Sequence, residues 1–361
     1  MTQEELFGLL HEVIHPERQG DIVTLGMIEN PTVTPDKIQF SLVFNRNRDP
    51  FAAALKKRCE ELIVARHPEY AGNIHIFIKE NPNKKPTEPH ERTVFGSDGK
   101  TGRIVAISSA KGGVGKSTVT ANLAVALSKM GYRVGLLDAD IYGPSQPMLF
   151  DLEGYQPDGI EVEGHEWIRP AERFGILIMS IGFFINPKDA LMWRGPMAIN
   201  ALRQMIRQTL WGELDFLLID MPPGTGDIHL SILQEMSLSG AIIVSTPQKM
   251  ALADVVRGIS MFRNEKIGIP VLGLVENMAW FTPEELPNHK YYLFGKEGTK
   301  RLAEEEHLPL LAQIPLIQNI RESSDEGKPV STEEGPTSEY YRLLAKRMIE
   351  ELDKQQQHGK S

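Results

Sequence analysis

The chain has 361 residues, 41% hydrophobic and 24% charged, the composition of a folded globular protein with length for about two domains. Lys plus Arg number 39 against 48 Asp plus Glu, a net charge of −9, which argues against a general nucleic-acid binder and its basic surface. The single cysteine, Cys59, excludes an intramolecular disulfide and any all-cysteine metal site within one chain. With no signal peptide and no apolar run of about 18 residues, the expected setting is the cytoplasm, with neither membrane nor nucleic acid as partner.

The first eighty residues read as a small α+β unit. Glu4 to Ile14 carries Leu6, Phe7, Leu10, Val13 and Ile14 at helical spacing. Ile22–Ile28 reads as a strand, and Lys37–Asn45 alternates with Ile38, Phe40, Leu42 and Phe44 on one face. Pro50 can open a helix over Phe51–His67, and Asn73–Lys79 is a further alternating strand. Residues 81–102 then hold Pro82, Pro86, Pro89, Gly96 and Gly99 among polar residues, which reads as a linker.

From Arg103 to Ser361 short apolar runs alternate with helical stretches. Strands are expected at Ile104–Ser108, Val134–Leu137, Ile176–Met179, Phe216–Ile219, Ala241–Ser245, Val271–Val275 and Pro309–Ile314. Helices are expected at Ser117–Met130, Met197–Leu210, Ile228–Met236, Ala251–Lys266 and Glu339–Leu352, with Asp353–Ser361 a frayed tail. Continuous apolar strands between helices indicate an α/β parallel sheet covered on both faces, whose ligands bind beyond the carboxyl ends of the strands.

The strongest motif is Ala110-Lys111-Gly112-Gly113-Val114-Gly115-Lys116-Ser117-Thr118, lying between an expected strand and an expected helix. Glycines let backbone N–H groups converge on phosphate oxygens, and the helix beginning near Lys116 turns its positive end to the same anion. Lys116 reaches the β- and γ-phosphates of ATP, Ser117 can ligate Mg²⁺ and Thr118 is placed for the α-phosphate. Ala110 stands where the strict motif has glycine, which a negative φ permits. Lys111, immediately before the glycine pair, resembles the signature lysine of the deviant Walker A class, which implies action on a second subunit's nucleotide in trans.

Asp138-Ala139-Asp140 and Asp220-Met221-Pro222-Pro223-Gly224 each end a strand, so their carboxylates face the phosphate loop. Asp220 and Asp138 are candidates for the Mg²⁺ shell, and Asp140 for positioning or deprotonating the attacking water. Pro222-Pro223-Gly224 forms a stiff turn able to respond to the γ-phosphate.

Together with Trp193-Arg194-Gly195-Pro196-Met197 and Val275-Glu276-Asn277-Met278, these motifs occur in the order found in one family. The chain resembles the Mrp/ApbC/NBP35 group of P-loop ATPases (SIMIBI class, relatives of MinD and ParA), which act as iron–sulfur cluster carriers. The first eighty residues resemble the small MIP18-like domain often fused ahead of them. The resemblance implies a homodimer with two ATP–Mg²⁺ sites, slow hydrolysis, a [4Fe–4S] cluster shared between subunits, and scaffold or client apoproteins as partners. It also implies that Asn277 recognises the adenine and that the segment around Pro315 lines the base pocket.

One part of the family pattern is missing. A Cys-x-x-Cys pair is expected soon after Val275-Glu276-Asn277-Met278, yet Ala279–Gly295 contains no cysteine, and Asp49-Pro50 replaces a second family cysteine. No ligand set for an iron–sulfur cluster is evident, since such clusters need thiolates or, rarely, histidine. Two Cys59 residues in a dimer are the remaining thiol source, beside Lys56, Lys57 and Arg58, although a partly buried helical residue is the simpler reading. Two other functions stay in view: a nucleotide-gated dimer that binds partners without its own cluster, and a positioning ATPase like MinD or ParA.

Overall fold

The computed structural model describes residues 1–16, 20–25, 27–34, 37–44, 51–80, 102–162, 165–184, 195–265, 267–283 and 285–358. Trp193, Arg194, Asp49, Pro50 and nearly all of the expected linker lie outside the described residues. The chain divides into two compact units, Met1–Glu91 and Arg92–Ser361.

The first unit runs α1 (Gln3–Leu10), β1 (Ile28–Val33), β2 (Ile38–Phe44), α2 (Ala52–Arg66) and β3 (Ile74–Glu80). Thr2 starts α1 through a capping box: its hydroxyl accepts from the Glu5 N–H, and the Glu5 carboxylate accepts from the Thr2 N–H. Strand β2 is central, antiparallel to β1 and parallel to β3. Its alternating residues Ile38, Phe40, Leu42 and Phe44 are buried with Leu6 and Leu10 of α1 and Leu55, Cys59 and Ile63 of α2. The strand expected at Ile22–Ile28 does not form. The Asp21 carboxylate accepts from the Val23 and Thr24 N–H groups and the Thr24 hydroxyl, closing a turn that delays the strand until Ile28.

The second unit begins with β4 (Arg103–Ser109), α3 (Lys116–Lys129), β5 (Val134–Asp138), α4 (Gln146–Leu149), β6 (Gly159–Val162), β7 (His165–Ile168), β8 (Ala171–Arg173) and β9 (Ile176–Ser180). It continues with α5 (Gly195–Gln208), β10 (Phe216–Pro223), α6 (Asp227–Glu235), β11 (Gly240–Ser245), α7 (Lys249–Arg263), β12 (Val271–Phe281), α8 (Gly298–Glu305), β13 (Leu310–Leu316), α9 (Gln318–Asp325) and α10 (Pro336–His358). Eight strands form one sheet in the order β13-β12-β11-β4-β10-β5-β9-β8, parallel throughout except for β8 against β9. Strands β6 and β7 form a separate exposed hairpin.

All seven expected strands form, because each is apolar on both faces and has helices to bury it. Val105 to Ile107, Leu136, Leu137 and Leu217 to Ile219 are all essentially without exposed surface. Each Val, Leu and Ile among them contributes about 1.5–3 kcal/mol by leaving water. Helix α10 continues to His358, past the expected fraying point at Asp353, and the Arg103–Asp353 ion pair ties its last turns to the start of β4. Among the described residues no helix is long and apolar enough to cross a membrane.

Candidate nucleotide site

Register builds the site. Asp220 of β10 lies opposite Asp138 of β5, and Asp138 lies opposite Ser180 of β9. Three strand ends therefore bring their polar residues to one level at the carboxyl edge, beside the loop that leaves β4.

The loop from Ala110 to Gly115 turns through two left-handed glycines, Gly113 at φ +79° and Gly115 at φ +81°. Ala110 is not among the residues with positive φ, so its methyl group is tolerated where the strict motif has glycine. The Ser109 hydroxyl donates to the Lys111 carbonyl at 2.9 Å and braces the turn. Gly115 caps α3, whose first-turn N–H groups have no partners within the helix and open onto the loop.

Lys116 is 6% exposed and its ammonium lies 2.5 Å from Asp220 Oδ1 and 3.2 Å from the Ser117 hydroxyl. Asp220 is fully buried and saturated: Thr120 Oγ1 also donates to Oδ1 at 3.1 Å, and Gln146 Nε2 donates to Oδ2 at 2.8 Å. Removing either member of a buried pair of this kind strands the other charge, at about 3–5 kcal/mol.

Asp138 is also fully buried. It accepts from the Ser180 hydroxyl at 2.9 Å, the Gln146 N–H at 3.1 Å and the Asp140 N–H at 3.2 Å. Burial first, and then the Asp220 charge, hold its carboxyl above the usual carboxylate range. Asp140 is 8% exposed, accepts from the Gly143 N–H at 3.2 Å, and is likewise raised by burial. Two carboxylates and the Ser117 hydroxyl thus offer hard oxygen donors, the donor chemistry that Mg²⁺ takes.

Gln146 is the site residue that the sequence did not announce. Its side-chain N–H groups reach both Asp220 and the Ser117 carbonyl, and its backbone N–H reaches Asp138. One fully buried amide therefore joins the phosphate loop to both acidic strand ends.

Asn277 extends across from β12, and its amide donates to the Val114 carbonyl at 2.8 Å. Beside it opens a cavity of about 290 Å³ lined by Gly115, Thr118, Met148, Asn277, Pro315 and Tyr341, among others. A mostly apolar cavity at the start of a phosphate-binding helix is suited to a nucleoside. Asn277 and Pro315 both border it. Lys111 lies 3.4 Å from Asp254 of α7 in its own chain.

The cysteine-free segment after Asn277 is held by backbone pairing and a ring contact. Strand β12 runs on to Phe281, whose backbone pairs with Tyr291 in both directions at 2.8 Å, and the Lys290 ammonium sits 3.8 Å from the Trp280 ring centre. Among the described residues no three His, Cys, Asp or Glu side chains are grouped to hold a metal. Cys59 is fully buried in the first unit's core, and burial pushes its thiol up to about 12. These donors do not fit an iron–sulfur cluster.

Residues 100–349 match the family described as NUBPL iron-transfer P-loop NTPase, and residues 3–75 match the iron–sulfur cluster assembly protein family. An iron–sulfur cluster carrier protein from Synechocystis is 38% identical over 96% of this chain and 97% of its own length. A nucleotide-binding protein from Archaeoglobus fulgidus, solved with ADP, superimposes with a TM-score of 0.57 at 40% identity, over 66% of this chain and 91% of its own. The cell-division ATPase MinD from Pyrococcus furiosus superimposes with a TM-score of 0.52 at 26% identity, over 69% of this chain and 99% of its own. An assembly-type first unit followed by a MinD-like sheet with this phosphate loop places the chain in the NUBPL family of iron-transfer P-loop NTPases, to which it belongs.

Proposed function

We propose that the protein binds and hydrolyses ATP with Mg²⁺ in the cytoplasm, as a homodimeric iron–sulfur cluster carrier that delivers clusters to client apoproteins. The observation that carries the reading is the Lys116–Asp220–Gln146–Asp138 network, held at the sheet edge beside the phosphate loop.

Each residue has a task. The loop N–H groups and the start of α3 receive the phosphates, and Lys116 exchanges Asp220 for the β- and γ-phosphates. Asp220 and Ser117 would hold Mg²⁺ or its waters, with Asp138 supporting the shell. Bound Mg²⁺ supplies charge neutralisation along the phosphate chain. Asp140 orients or deprotonates the water, and its raised pKa gives it basicity for that role. Lys111 leaves Asp254 to act on the nucleotide of a second copy of the chain.

The cluster is cargo, and this chain brings one buried thiol to it, so its thiolate ligands come from the proteins it serves. Anaerobic reconstitution with iron and sulfide, on wild type and Cys59→Ser, should leave no stable cluster on either protein. A stoichiometric cluster lost in Cys59→Ser would overturn the assignment of ligands. Delivery itself is tested by activating an apoenzyme that requires a [4Fe–4S] cluster, using a cluster-loaded scaffold as donor. Wild type with ATP and Mg²⁺ should accelerate activation and Lys116→Ala should not; equal rates with and without the protein would refute the carrier function.

A further inference from the structure

The turn that ends β10 has a partner outside the motifs. Gly224, at φ +93°, donates its N–H to the Ser109 carbonyl at 2.9 Å, and Ser109 in turn holds the Lys111 carbonyl through its hydroxyl. On its other side the turn meets α6. His229, in the first turn of that helix, is 1% exposed and hydrogen-bonds the Pro222 backbone, which has only a carbonyl to offer. Its Nε2 is buried with no hydrogen-bond partner. The donor to Pro222 is therefore Nδ1–H, and the imidazole is the neutral Nδ1–H tautomer.

We infer that His229 is a positioning residue for ATP hydrolysis, which sets the Pro222–Gly224 turn by holding the Pro222 carbonyl through Nδ1–H. Its surroundings keep it in that form. Burial, and next the charge of Lys116, disfavour imidazolium. The charged group that acts on the ring is the Lys116 ammonium on α3, which already binds Asp220 and takes no proton from it. The ring thereby acts as a fixed strut between α6 and the turn. Lys111, Ser109, Gly224, Pro222 and His229 form one connected series from the phosphate loop to α6. The inference rests on the hydrolytic reading above for its kinetic readout only.

The test compares full-length wild type, His229→Asn and His229→Leu. Asparagine can place an amide N–H close to the position of Nδ1; leucine fills similar space with no donor. His229→Leu should lower kcat about tenfold, the effect of one lost hydrogen bond in a catalytic turn, while its affinity for ATP stays within about threefold. His229→Asn should return kcat to within about threefold of wild type. A residue that only fills space predicts instead that both variants behave alike and that KM moves with kcat.

Amide exchange of the segment 220–226, in the protein without nucleotide, gives a readout independent of turnover. Protection should fall in His229→Leu and persist in His229→Asn. If His229→Leu does not fold, His229→Gln replaces it, carrying its amide to the Nε2 position and leaving Pro222 without a donor. Unchanged kcat and unchanged exchange in the donor-less variant overturn the inference, as does an Asn variant as slow as Leu. If wild type binds ATP without hydrolysing it, the hydrolytic reading fails, and the exchange comparison alone decides His229.

Discussion

Replacing Gly115 by alanine tests the phosphate loop at its tightest point. Gly115 adopts φ +81°, where a residue with a Cβ costs about 1–2 kcal/mol. The added Cβ would also lie 2.3 Å from Asn277 Nδ2, far inside contact distance. The amide must move, and its 2.8 Å bond to the Val114 carbonyl is lost, at about 0.5–1.5 kcal/mol. The unit should lose about 1.5–3.5 kcal/mol in all. Because Asn277 borders the nucleoside cavity, its displacement should also weaken ATP binding about tenfold, or about 1.4 kcal/mol. All four tryptophans lie beyond residue 102, so urea unfolding followed by tryptophan fluorescence reads this unit. Gly113→Ala is the control: φ is +79°, but nothing lies within 4 Å of its added Cβ. It should show the backbone cost and leave Asn277 in place. Equal losses in the two variants, or a Gly115→Ala protein within about 0.5 kcal/mol of wild type, would refute the proposed contact with Asn277.

Gln146→Glu places a third carboxylate against Asp138 and Asp220, and should lower stability by about 2 kcal/mol or more, measured by urea unfolding and partly restored by Mg²⁺. Asp140→Ala should retain ATP binding in a fluorescent-nucleotide titration and lose at least about tenfold in turnover; normal turnover would remove Asp140 from the water-positioning role. Lys111→Ala should lower hydrolysis or ATP-dependent dimerisation more than ATP affinity, and wild-type hydrolysis would exclude its action in trans. Burial lowers the pKa of His229 from 6.5 to about 4. The unfolded chain therefore binds a proton that the folded chain refuses, so this histidine's contribution to stability is lost as pH falls from 6.5 toward 4. His229→Asn should lack that part of the pH slope in unfolding titrations.

The parallel sheet was legible because its strands are apolar on both faces, and no helix period competes with Ile104–Ser108 or Phe216–Ile219. The phosphate loop was legible because its chemistry is local: nine consecutive residues between a strand and a helix. What lay hidden depends on register and side-chain reach. Gln146 stands 74 residues from Asp220, and only the pairing of β5 with β10 brings them together. Pro147, at the start of α4, marks a helix beginning there, but a four-residue helix has too few positions to show a period. The exposed hairpin β6–β7 carries too many polar residues to read as strands. The segment after Asp21 reads as a strand because Ile22, Val23 and Leu25 are apolar, whereas the aspartate's hydrogen bonds close a turn there.

Cys59 gives the molecule an internal clock. The only thiol of the chain lies in the core of the first unit, unexposed and unreactive while that core is closed. Under conditions in which reclosing outruns the chemistry, alkylation of the native protein reports the fraction of time for which that unit is open, with no background from elsewhere in the chain. A maleimide pulse with and without ATP therefore measures whether events at the phosphate loop reach the first unit at all. A change in labelling rate on adding nucleotide would reveal thermodynamic coupling between the two units, and an unchanged rate would mark them as energetically independent.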